Sequence, residues 1–103
     1  MSESEIALPP LQIADIDRDT LRELFVDVET LAHNLEIVLK RGSEQHVVNE
    51  PSRSLSDAMS ELLLGTAVGA QLRYRFKGAD WWDTLLRTEN GFRLVRIQHR
   101  PES

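Results

Sequence analysis

Cysteine is absent from the 103 residues, which excludes disulfides, thiolate nucleophiles and every cysteine-ligated zinc or iron–sulfur centre. Long apolar runs are missing too: the opening MSESEIALPPLQ has no basic leader segment, and uninterrupted hydrophobic stretches elsewhere are only a few residues long. This points to a cytoplasmic protein with no membrane segment. The five glycines are mostly accounted for by turns and helix ends, and no G-x-S-x-G elbow, phosphate-cradling loop or dinucleotide fingerprint is present. His33, His46 and His99 stand far apart, outside any metal-binding spacing. No metal or cofactor is expected, and catalysis ranks only as a third reading, an unrecognised site in a small enzyme.

What is present fits one globular domain of ordinary composition, 41% hydrophobic and 28% charged. The net charge of −5 is unevenly spread: residues 1–70 carry five Lys/Arg against thirteen Asp/Glu, whereas residues 71–103 carry seven against four. Such a split can orient a partner or help the two halves adhere.

Residues 1–16 hold Pro9-Pro10 among Ile6, Leu8, Leu11 and Ile13 and read as an extended arm packed across its own domain. Residues 17–103 form a single α+β domain. Asp17 or Asp19 can cap a helix, with Thr20 and Glu23 at capping-box spacing. The apolar stripe Leu21, Leu24, Phe25, Val28, Leu31, Ala32, Leu35, Val38 and Leu39 predicts that this helix continues to Lys40-Arg41-Gly42. Leu35, Ile37 and Leu39 also alternate. The competing reading ends the helix near His33-Asn34 and makes a strand or hairpin of 35–49, with His46-Val47-Val48 as partner. Residues 49–53 read as a loop. A second helix runs from a Ser54 cap to Gly65.

The C-terminal third predicts strands over 69–77, 80–88 and 92–99. Asn90-Gly91 is a strong hairpin signal, since both residues tolerate positive φ. The expected architecture is two helices packed on one face of a three-stranded antiparallel meander, in the order α-α-β-β-β.

Trp81 and Trp82, the only tryptophans, are adjacent, so on a strand they face opposite ways. A three-residue loop at Gly78–Asp80 puts Trp82 in the core with Leu72, Tyr74, Phe76, Thr84, Leu86, Val95 and Ile97. Trp81 then lies on an outer, basic face with Arg73, Arg75, Lys77, Asp83, Leu85, Leu94 and Arg96. On that assignment these eight residues form a partner-binding face, an aromatic and leucine centre rimmed by arginine. The expected function is that of a small non-catalytic accessory or adaptor protein, binding a protein partner or a second copy of itself. The alternative is nucleic acid on the same basic face, which the acidic whole chain and the single candidate stacking ring oppose. The plainest reading of the same face, a solvated sheet surface on which Arg75 and Asp83 form an exposed cross-strand ion pair, accounts for every one of its residues and ranks first among the three.

Overall fold

The computed structural model describes residues 11–43, 46–52 and 54–99. In chain order the elements are β1 (Leu11–Ile16), α1 (Arg18–Leu31), β2 (His33–Ser43), β3 (His46–Ser52), α2 (Leu55–Leu64), β4 (Gly69–Phe76), β5 (Ala79–Thr88) and β6 (Gly91–His99). All six strands join one antiparallel sheet in the order β1-β6-β5-β4-β2-β3. The expected three-stranded meander is corrected: it is the middle of a sheet twice that size.

The first added strand comes from the expected arm. Residues 11–16 pair with β6, from Leu11 opposite Ile97 to Ile16 opposite Phe92, and so satisfy backbone groups that β6 would otherwise leave open. Residues 1–10, with Pro9-Pro10, lie outside the described residues.

The other two added strands replace the C-terminal half of the expected long helix and the loop after it. Asp17 caps α1, its side chain accepting from the Thr20 amide at 2.8 Å, and Leu21, Phe25 and Val28 are buried along one side. The helix stops at Leu31 because Ala32 is extended and Asn34 takes φ 55°, a left-handed conformation that asparagine tolerates. From there the period of two prevails. β2 lies between β3 and β4 and buries Ile37 and Leu39, a setting that favours β-branched side chains such as Ile37 and Val38. Residues 49–52, expected in a loop, continue β3.

α2 matches the sequence reading. Ser54 accepts from the Asp57 amide at 3.0 Å, and Gly65 closes the helix at φ 88°. Two arginines finish that end: Arg18 donates to the Leu63 carbonyl and Arg87 to that of Leu62, placing cations at the negative helix terminus.

Both helices cover the same face of the sheet. Leu21, Phe25 and Val28 of α1 and Leu55, Ala58 and Leu62 of α2 meet Ile37, Leu39, Ala70, Leu72, Tyr74, Leu85 and Phe92. Each large side chain buried there contributes roughly 1.5–3 kcal/mol. Among the described residues no element covers the opposite face.

Candidate functional site

Two turns decide which side chains share a face. Lys77 and Gly78 both have positive φ, 51° and 78°, and form a two-residue turn of the primed kind that matches strand twist. This pairs Phe76 with Ala79, Tyr74 with Trp81, Leu72 with Asp83 and Ala70 with Leu85. The three-residue loop expected from the sequence sets Tyr74 opposite Thr84; the observed partner is Trp81, three residues away, and an odd shift turns a strand's side chains to the other face. Trp81 therefore belongs to the helix-covered face and Trp82 to the open one.

The eight-residue face is corrected accordingly. Trp81, Asp83, Leu85, Leu94 and Arg96 share the helix-covered side, where Asp83 and Leu85 are 0% exposed. Arg73 and Arg75 lie on the opposite side, paired across the ladder with Trp82 and Asp80. Lys77 sits in the turn, its ammonium 5.3 Å from the Phe76 ring centre. The structure does not bring these eight together. The β5–β6 register also moves by two residues, to Trp82 opposite Ile97 and Thr84 opposite Val95. An even shift leaves faces intact, so Trp82, Thr84, Leu86, Val95 and Ile97 do share one.

Asp83 was expected in an exposed pair with Arg75. Instead Arg96 holds it, Nε donating to Oδ1 and Nη2 to Oδ2 at 2.8 Å each, and the Tyr74 hydroxyl donates to Oδ2 at 2.8 Å. Three charge-assisted bonds compensate the buried carboxylate. Burial and the neighbouring charge of Asp83 push the Tyr74 hydroxyl well above its ordinary pKa, and the bond to Asp83 raises the Arg96 guanidinium further. Arg75 bonds Asp80 instead, at 3.2 Å.

On the open face, cross-strand registers align side chains into rows. One row reads Leu11, Ile97, Trp82, Arg73, Glu36; the next reads Ile13, Val95, Thr84, Gln71, Val38. The β1–β6–β5 side is thus an apolar field, with Ile13 62% and Leu11 51% exposed. Beside it runs a polar ladder in which Arg73 Nε donates to Gln71 at 2.7 Å and Gln71 donates to Thr84 at 2.9 Å. Trp82 joins the two halves: the Arg73 guanidinium lies 4.3 Å from one of its rings, and the His99 ring centre lies 4.4 Å away. The sequence reading missed Leu11, Ile13 and Trp82 as surface residues. Their signal was the period-two pattern of Leu11, Ile13 and Asp15 immediately before the Asp17 cap.

At the far edge, Arg41 bridges Glu50 on β3 at 2.7 Å and Glu61 on α2 at 2.7 Å. The Arg41 hydrogen bond holds the Glu61 carboxyl below its usual range. This cluster ties the hairpin to α2.

Among the described residues, no three His, Asp or Glu side chains converge as a metal ion requires, and no helix is long and apolar enough to cross a membrane. No protein-family model, curated protein or solved structure matches this chain.

Proposed function

We propose that this protein is a non-catalytic accessory protein of the cytoplasm that works by holding a protein surface against its open sheet face, and that the surface is a second copy of itself. The observation that carries this is the contiguous field of Leu11, Ile13, Val95, Ile97 and Trp82, which no described element covers. Exposed apolar fields of this kind mark contact surfaces.

Charge favours a second copy as the occupant. The chain carries −5, but the open face carries Asp15, Glu36 and Asp80 against Lys40, Arg73, Arg75 and Arg93. Four of these are already paired, Arg93 with Asp15 at 3.1 Å and Arg75 with Asp80 at 3.2 Å. Two such near-neutral faces do not repel one another, although the chain as a whole is acidic. Size agrees: six strands about 4.8 Å apart and roughly 27 Å long present about 800 Å², the share one partner contributes to a standard interface. Two sheets packing face to face also have a well-populated geometry, and a twofold axis makes the contact self-complementary.

The same pairing argues against nucleic acid. With Arg75 and Arg93 bonded to carboxylates, and Arg73 engaged by Gln71 and Trp82, little positive charge on this face is free for phosphates. The burial of Asp83 argues against catalysis, since a carboxylate fully engaged by Arg96 and Tyr74 has no access to a substrate.

Sedimentation velocity across a wide concentration range tests the proposal. The wild type should pass from monomer to dimer, while Ile13→Glu and Ile97→Glu, with unchanged circular dichroism, should each weaken dimerisation by about tenfold or more, ~1.4 kcal/mol. A wild type monomeric throughout, or a dimer indifferent to both substitutions, would overturn it.

A further inference from the structure

On the other side of the sheet, the C-terminal half of α1 does not close fully over the end of the β4–β5 hairpin. Between them lies a cleft of about 260 Å³. Its walls are Leu24, Val28 and Leu31 from the helix and Phe76 and Trp81 from the strands, with Tyr74 and Arg96 at its polar end and Asp27 also lining it. Concave, mainly apolar clefts with a few convergent polar groups are the ordinary form of a small-molecule site.

Arg96, in the lining, has donors that Asp83 does not take. Asp83 occupies one edge of the Arg96 guanidinium, through Nε and Nη2. Asp83 takes neither Nη1 nor the second Nη2 hydrogen; the Tyr74 hydroxyl also interacts with the guanidinium, and this end keeps donor capacity for a further acceptor. The Trp81 indole is committed elsewhere, donating to the Phe76 carbonyl at 3.4 Å, so its ring serves as an apolar wall.

Charge narrows the ligand. Asp83 already neutralises Arg96, and Asp27 adds a negative charge to the lining, so an anion gains little and is repelled. A neutral carbonyl takes the same donors without that cost. An apolar cavity of ~150 Å³ accommodates a benzene-sized ring, so this cleft has room for one ring or branched aliphatic group together with its head group.

We infer that the cleft between α1 and the β4–β5 hairpin binds a small neutral carbonyl compound with an aromatic or branched aliphatic body, the carbonyl oxygen accepting from the Arg96 donors that Asp83 does not take. This site is separate from the open face and does not depend on dimerisation.

Titration of the full-length protein with phenylacetamide, phenylacetate and ethylbenzene, followed by the Trp81 indole N–H resonance, tests it. Phenylacetamide should shift that resonance saturably. Phenylacetate, which carries a charge, and ethylbenzene, which lacks an acceptor, should each bind about tenfold more weakly. Leu31→Trp places bulk at a half-exposed lining position where folding is little affected, and should abolish the shift while leaving the remaining spectrum dispersed. Absence of a saturable shift with phenylacetamide, equal or tighter binding of the carboxylate, or binding unchanged in Leu31→Trp would each overturn the inference.

Discussion

Arg96 grips Asp83 along a whole edge of its guanidinium, Nε to Oδ1 and Nη2 to Oδ2, both at 2.8 Å, so that a 0% exposed carboxylate sits on the helix-covered side of β5 with its charge answered from β6. Tyr74 on β4 adds a third bond at 2.8 Å. The three central strands are thus tied by side chains as well as by their ladders.

Removing one member of this group should be far worse than removing all of it. Asp83→Asn leaves the partly exposed Arg96 guanidinium without its counter-charge and is expected to cost about 2–3 kcal/mol in urea unfolding. The triple replacement Tyr74→Phe, Asp83→Leu and Arg96→Met should recover most of that loss, because well-packed apolar side chains need no compensation. Near wild-type stability for Asp83→Asn would contradict the buried pair.

Tyr74 gives a pH signature at the alkaline end. Its hydroxyl is held above the ordinary tyrosine value by burial first and by Asp83 second. The folded state therefore keeps its proton longer than the unfolded state. The resulting stability is complete below pH ~10 and lost as pH rises beyond it, by at most about 1.4 kcal/mol per unit. Unfolding midpoints measured at increasing alkaline pH should fall more steeply for the wild type than for Tyr74→Phe. Parallel curves would remove Tyr74 from the buried group.

The two tryptophans should differ in stability. Trp81 packs against the core beneath α1, and Trp81→Ala is expected to cost about 2–4 kcal/mol, somewhat below a fully buried truncation. Trp82 lies between Arg73 and His99 on the open side, and Trp82→Ala should cost about 1 kcal/mol. Thermal melts of both variants check the order, and the reverse order would restore the face assignment read from the sequence.

Two glycines are required by close approach. A Cβ on Gly91 would lie 2.5 Å from the Ile16 carbonyl oxygen, and one on Gly69 would lie 2.5 Å from that of Leu85. Each Gly→Ala substitution should cost about 1–3 kcal/mol as backbone is forced aside. Gly78, at φ 78° with open space around it, should lose only the ~1–2 kcal/mol of a left-handed residue that carries a Cβ. Denaturant midpoints for the three variants separate the two causes.

This double use of glycine explains part of what the sequence concealed. Asn90-Gly91 reads as a turn, yet Glu89 and Asn90 make the turn, without positive φ at either, and Gly91 begins β6 where β1 passes against it. The reverse occurs at Lys77, where the left-handed conformation is taken by a residue that rarely shows it. That one residue sets the β4–β5 register and with it the face of both tryptophans. The start of α1 at Asp17 or Asp19, both ends of α2 and the identity of β4, β5 and β6 were legible, because Asp17, Ser54 and Gly65 act within a single turn of chain. The site of β2 was ambiguous, since Leu35, Ile37 and Leu39 satisfy helical and strand spacing alike and only the neighbours β3 and β4 decide between them. Asp83 misled for a related reason: a carboxylate normally marks a wet face, and its burial depends on Arg96, thirteen positions away.

The two tryptophans also provide the most direct test of the open face as an association surface. With 5-fluorotryptophan at both positions, fluorine spectra recorded over a dilution series should show the Trp82 resonance moving with concentration while that of Trp81, beneath α1, stays in place. Two resonances that do not move, or movement confined to Trp81, would contradict association through the open sheet face.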